Sequence, residues 1–165
     1  MTIGISYTNE EIVNEFADMV YRLAVSRVKN AVDADDVFQE VFLRFVKSKK
    51  QFESKDHIRF WLIRVTINCS KDYWKSRDDR RTEPLEKAEL QQAGLDDANG
   101  IDVNSLIASL PPKMRLIMHL FYIEDLPTDA IGHIMKIRQS TVTSQLCMAR
   151  KILRERLGDD SYDQF

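Results

Sequence analysis

Apolar residues recur at three- and four-residue intervals along almost the whole chain, and no alternating run bounded by hairpin turns interrupts them. That pattern predicts an all-α fold. The first helix is expected to start after Thr8 or Asn9, which can cap it, with Glu10 and Glu11 favourable in its first turn. Ile12, Phe16, Met19, Val20, Leu23 and Val28 form its apolar face. Residues 30–33 read as a short turn, and a second helix from about Ala34 to Lys47 points Val37, Val41, Phe42 and Phe45 inward. The stretch 47–56, KSKKQFESKD, is polar and basic and reads as a loop. A third helix over about 57–77 is expected to pack through Ile58, Trp61, Leu62, Val65, Cys69 and Tyr73. These segments make one three- or four-helix domain over residues 1–77.

The character then changes. Residues 78–102 are acidic, hold Pro84, Gly94 and Gly100, and show only a weak helical pattern around 85–95. They read as a flexible linker. A second small domain is expected over 103–165. In it Leu106, Ile107 and Leu110 form a short helix stopped by Pro111–Pro112, with Pro112 suited to the first turn of the next helix. That helix carries Met114, Ile117, Met118, Leu120 and Phe121. After a turn at Glu124–Asp125 come a short helix from Thr128 to Met135, three turn residues, and a long helix from about Ser140 to Arg156. Short helix, tight turn and longer helix is the helix-turn-helix pattern.

Composition narrows the functional classes. A 165-residue chain fits one large domain or two small ones, and 44% hydrophobic residues suffice for packed cores. No apolar run approaches the roughly 18 residues of a membrane span, and the first nine residues lack the features of a signal peptide. The chain therefore reads as cytoplasmic, without membrane insertion. Cys69 and Cys147 stand far apart with no His at ligand spacing, so they are expected to be reduced, with no metal site and no cofactor. His57, His119 and His133 fit no triad, and there is no Gly-rich phosphate loop; no enzymatic activity is expected. The net charge of −2 argues against a nucleic-acid partner until its distribution is considered. Residues 46–81 hold 11 Lys and Arg against 5 Asp and Glu, and 111–157 hold 8 against 4, so two basic blocks alternate with acidic ones. Such blocks suit phosphate neutralisation if they lie on exposed faces, and are otherwise ordinary solvated helix surface.

The C-terminal pair, LPTDAIGHIMKIRQSTVTSQLCMARKILRERL, places small Ala130 where two helices are expected to cross closely, with Ile131, Ile134 and Ile137 inside. Val142, Leu146, Ala149 and Leu153 make the inner stripe of the long helix. Roughly opposite lie Ser140, Ser144, Cys147, Met148 and Lys151, a face suited to the major groove, with Arg138, Arg150, Lys151, Arg154 and Arg156 as flanking cations. A plain α-hairpin is the alternative.

This segment, together with the preceding LPPKMRLIMHLFYIEDLP, resembles the C-terminal helix-turn-helix of the extracytoplasmic-function (ECF) sigma factors of bacterial RNA polymerase. The resemblance implies binding to the minus-thirty-five promoter element, with Thr143, Ser144, Cys147 and Met148 at the positions that read or grip DNA; Arg138, Ser140 and Lys151 of the same face complete the candidate site. The chain departs from the family where V-K/R-S-R is common: it reads Val142-Thr143-Ser144-Gln145, and Met148 stands where Arg is frequent. Missing cations imply weak or unusual minus-thirty-five binding.

Two N-terminal segments carry the same resemblance. ADDVFQEVFLRFV is similar to the family's polymerase-binding helix, D-A-E-D-L-x-Q-E-x-F. In it Asp36, Gln39, Glu40 and Leu43 form one acidic and apolar stripe suited to a basic partner helix. FWLIRVTINCSKDYWKSR looks like the family's F-x-x-W-L-x-R-I-x-x-N helix, with Arg64, Asn68, Lys71 and Lys75 on one side to meet minus-ten DNA. The family captures an unpaired base in the loop before this helix, where Phe52 is available for stacking; Phe52 and Trp74 belong either to the core or to the DNA surface. The implied partners are core RNA polymerase, through its clamp helices and flap, promoter DNA and an anti-sigma factor. The rival readings are a dimeric helix-turn-helix regulator on palindromic DNA and a sigma-like protein that reads DNA poorly.

Overall fold

The computed structural model describes residues 6–28, 30–78 and 103–158. Among them every regular element is helical. The chain divides into two compact units, Met1–Gln91 and Gln92–Phe165. Of the expected linker, Asp78 ends a helix and the rest lies outside the described residues, as does the tail beyond residue 158.

In the first unit, α1 (Asn9–Val28), α2 (Ala31–Lys47) and α3 (Lys55–Asp78) pack pairwise on one another. A reciprocal box starts α1: the Glu11 N–H donates to Thr8 Oγ1 at 3.1 Å, and the Thr8 N–H donates to Glu11 Oε2 at 3.0 Å. Two amides that a helix start leaves orphaned are satisfied in this way. The expected apolar face of α1 is buried in full, joined by Ala24.

Helix α2 begins three residues before the expected Ala34. Asn30 is its cap: the extended backbone there lets Oδ1 accept from the Asp33 N–H at 2.8 Å, while its amide bonds the Asp33 carboxylate. A polar pair that resembles a turn in sequence is thus the first turn of a helix. Ser54 likewise starts α3 early by accepting from the His57 N–H at 3.1 Å.

Helix α3 packs against both neighbours, so its buried surface is wider than a single stripe. Ile58, Leu62, Ile63, Ile67 and Cys69 are buried, and so are Thr66 and Ser70. The last two satisfy their hydroxyls by donating to Leu62 O at 2.7 Å and Ile67 O at 2.8 Å. Trp61, Val65 and Tyr73 are only half-buried. Each large side chain taken fully out of water here contributes about 1.5–3 kcal/mol.

The second unit contains α4 (Val103–Ala108), α5 (Pro112–Met118), α6 (Thr128–Met135) and α7 (Gln139–Leu157). Pro112 opens α5, where its missing N–H costs nothing. Helix α5 then widens into a π-helical turn over His119–Ile123, closed by the Glu124 N–H donating to His119 O at 3.1 Å. Between α6 and α7 the chain turns through Lys136, whose φ of 57° is left-handed, and the Ile137 N–H returns to Gly132 O at 2.9 Å.

One expectation needs correction. Ala130 is half-buried and is not the close-approach residue; Gly132 is. A Cβ built on Gly132 would stand 2.9 Å from Ile137 O and 3.4 Å from Gln139 N, so the tight turn closes only over a bare α-carbon. The inner stripe of α7, Val142, Leu146, Ala149 and Leu153, is buried as its spacing predicts.

Candidate protein and nucleic-acid interfaces

In the first unit, α2 carries Asp36, Gln39, Glu40 and Leu43 on the face opposite its buried stripe, and all four are exposed. Leu43 is 48% and neighbouring Val46 52% exposed, and Leu43 stands among the acidic and polar residues Asp36, Gln39 and Glu40. Glu40 is also tied locally, accepting from Arg44 Nε at 2.8 Å. The same guanidinium lies 3.7 Å from Asp72 on α3. The bond to Glu40 contributes most to holding the Arg44 pKa above its ordinary value. The Glu40-to-Arg44 spacing of four was available in the sequence; the cross-helix partner was not.

Along α3, Asn68, Lys71 and Lys75 are exposed and Arg64 is half-buried. Their spacings of four, three and four place them on one side of the helix. Asp72 shares that side, the one carboxylate in residues 64–75. The two aromatics left between core and surface find different places. The Trp74 indole donates to Arg27 O at 2.9 Å, and Arg27 Nε donates to Ser70 Oγ at 3.3 Å, so Trp74 ties the end of α1 to α3. Phe52 is half-buried against Phe45, His57 and Trp61, with ring centroids 5.8, 5.2 and 5.7 Å away. It anchors the loop after α2 on the core and keeps only part of its surface for a ligand. Lys55, one of the basic residues of that stretch, is held 3.0 Å from Glu15 and over the Tyr7 ring.

In the second unit, Arg138, Ser140, Thr143, Ser144, Cys147, Met148 and Lys151 are all exposed along the outer face of α7. The hydroxyls of Thr143 and Ser144 donate to Gln139 O at 3.1 Å and Ser140 O at 2.9 Å, which leaves their oxygens outward as acceptors. The flanking cations divide. Arg150 was expected beside DNA, yet its Nε donates to the Tyr122 hydroxyl at 2.7 Å, and the guanidinium lies over the Phe121 and Tyr122 rings. Arg156 bonds Ser109 Oγ. Arg115 is half-buried, donates to Ala108 O at 2.8 Å, and has its pKa lowered by burial. Three cations of the second basic block therefore hold the fold together.

Sequence reasoning missed the buried pair at the π-helical turn. His119 Nε2 and Glu124 Oε1 lie 3.2 Å apart, and both side chains are almost fully enclosed. An α-helix would splay residues five apart; the wider π turn brings them together. The cysteines part as expected, Cys147 exposed and Cys69 buried, with burial pushing the Cys69 thiol up to about 11. Among the described residues no group of His, Cys, Asp and Glu is arranged to hold a metal ion, and no helix is long and apolar enough to cross a membrane.

Comparison with known proteins agrees with this division. Residues 12–80 match Sigma-70 region 2, and residues 101–153 match Sigma-70 region 4. The chain is similar to the ECF RNA polymerase sigma factor SigE of Mycolicibacterium smegmatis, 32% identical over 92% of this chain, and spans 62% of that protein's length. It is also similar to SigW of Bacillus subtilis, 26% identical over 90% of this chain and 88% of the relative. Its fold matches that of the sigma factor RpoE solved with the anti-sigma factor NepR from Bartonella quintana. There the TM-score is 0.77 at 17% identity, covering 92% of this chain and 97% of the other. With two sigma-70 regions in order along most of its length, the chain belongs to the ECF-type sigma factors of bacterial RNA polymerase.

Proposed function

We propose that this chain binds core RNA polymerase and directs promoter-specific transcription initiation, with its contacts divided between the two units. Residues 1–77 dock on the polymerase clamp through Asp36, Gln39, Glu40 and Leu43 and melt the minus-ten element along Arg64, Asn68, Lys71 and Lys75. Phe52 supports the loop that meets the unpaired base. Residues 103–165 read the minus-thirty-five element through Arg138, Ser140, Thr143, Ser144, Cys147, Met148 and Lys151, and the stretch 78–102 joins them. The chain acts in the cytoplasm, catalyses no reaction itself, and an anti-sigma factor is a further partner.

One observation carries the docking assignment: Leu43 is 48% exposed between Asp36, Gln39 and Glu40, on a helix whose opposite face is fully packed. Burial of Leu43 supplies affinity to such a contact, and the carboxylates steer it and fix its register. A dimeric regulator would have no use for that stripe. The test is to add the purified chain to sigma-free core polymerase and assay promoter-dependent transcription. Asp36→Arg with Glu40→Arg is expected to lower core affinity by at least tenfold while leaving the fold intact. Full core affinity in that double variant refutes the docking face.

A further inference from the structure

Arg44 sits at the seam where α2 packs on α3, shared by two carboxylates with different duties. Its Nε donates to Glu40 Oε1 at 2.8 Å, one turn back on α2. Its Nη2 lies at the longer distance of 3.7 Å from Asp72 Oδ2 on α3. Glu40 belongs to the docking stripe. Asp72 stands one residue after Lys71, four after Asn68 and three before Lys75, where its charge would repel an approaching phosphate. Both carboxylates are exposed, so each is open to an outside partner.

We propose that Arg44 is a positioning residue that couples polymerase docking to the DNA face of α3, as a counter-ion passed from Glu40 to Asp72. In the free chain the guanidinium is held chiefly by Glu40, and Asp72 is only partly neutralised. A polymerase cation that pairs with Glu40 takes over this carboxylate, and Arg44 closes on Asp72. The one negative charge within residues 64–75 is then offset, and phosphate binding beside Asn68 and Lys71 strengthens. By linkage, DNA on α3 favours docking by the same factor. An exposed ion pair supports a coupling of about two- to fivefold, enough to bias the order of assembly without locking it. The scheme rests on the docking role proposed above for α2.

The test uses the full chain with core polymerase. Core affinity is measured first, then the affinity of holoenzyme for a promoter whose minus-ten region is already open, in wild type, Arg44→Gln, Arg44→Lys, Asp72→Asn and the double variant Arg44→Gln with Asp72→Asn. Arg44→Gln is expected to raise core affinity about two- to fivefold, because Glu40 loses its internal partner. It should weaken binding of the open promoter by a similar factor. Removing Asp72 as well should restore DNA binding to the wild-type level, and Arg44→Lys should retain most of it. A DNA defect that persists in the double variant, no DNA defect in Arg44→Gln, or a core affinity that does not rise overturns the proposal. Thermal unfolding checks that the variants stay folded, which exposed substitutions should allow. Failure of the docking reading is separate: it shows as undiminished core affinity in Asp36→Arg with Glu40→Arg.

Discussion

Gly132→Ala probes the helix-turn-helix at its tightest point. The added methyl carbon would lie 2.9 Å from Ile137 O and 3.4 Å from Gln139 N, both backbone atoms of the turn. An ordinary carbon–oxygen contact is about 3.3–3.6 Å, so the turn must retreat by about half an ångström. It cannot do so freely, because the Ile137 N–H is bonded back to Gly132 O at 2.9 Å. Overpacking of this kind costs about 1–3 kcal/mol. Against it stands the gain of about 1 kcal/mol for replacing Gly by Ala inside a helix. The net expectation is a loss of about 1 kcal/mol and a fall in Tm of about 4–8 °C for the second unit. Gly132→Val, with more bulk and less helix propensity, should cost more still. Both tryptophans, Trp61 and Trp74, lie in the first unit, so indole fluorescence is blind to this change. Amide hydrogen exchange across α6 and α7 is the informative assay. If Gly132→Ala instead raises protection there by the full propensity gain, the turn does not need a bare α-carbon and the reasoning fails.

Asn68→Ala is expected to reduce open-complex formation on duplex promoter more than on a template with a pre-opened minus-ten bubble; equal losses would reduce Asn68 to a backbone or folding role. Thr143→Lys with Gln145→Arg should raise the affinity of the chain for promoter DNA and steepen the salt dependence by about one to two units, read from a salt titration of both proteins on the same DNA. A wild-type slope that is already steep would contradict it. At the buried pair, His119→Leu removes one hydrogen-bonding partner of the Glu124 carboxylate and should destabilise the second unit by about 1–3 kcal/mol, whereas Glu124→Gln keeps a hydrogen-bonding group toward His119 and should cost clearly less. Urea unfolding followed by hydrogen exchange in that unit decides, and equal costs would mean that the pair is not the support it looks to be.

Periodicity made the packed faces legible because burial on one side of a helix imposes its own spacing on the residues. Ile12 to Val28 on α1 and Val142 to Leu153 on α7 are buried as their intervals require. The start of α2 was hidden because Asn30 and Asp33 favour turns and caps equally, and only the bond from the Asp33 N–H to Oδ1 distinguishes them. Gly132 was hidden for a related reason. Spacing says that two helices approach, but which residue lies at the crossing depends on how the turn closes, and here the left-handed Lys136 sets that. The His119–Glu124 pair leaves no trace in an α-helical reading, since it exists only where the helix widens.

The cations show where counting residues fails. The basic block in 111–157 suggested a surface rich in phosphate contacts, yet Arg115, Arg150 and Arg156 are bound to Ala108 O, to Tyr122 and to Ser109. Each stabilises the second unit, and each is held in place by a neutral partner, which leaves its charge but restricts its reach toward a phosphate. What remains exposed on the outer face of α7 is mostly neutral: Ser140, Thr143, Ser144, Cys147 and Met148, with Arg138 and Lys151 near either end. If this face meets DNA as proposed, counterion release from so few charges would give weak binding on its own. Docking of the first unit on polymerase, as proposed above, would compensate, because it would turn the second contact into an intramolecular event at high effective concentration. On the proposed reading, a chain that binds DNA poorly in isolation would become selective only after assembly, which would put promoter choice under the control of polymerase docking.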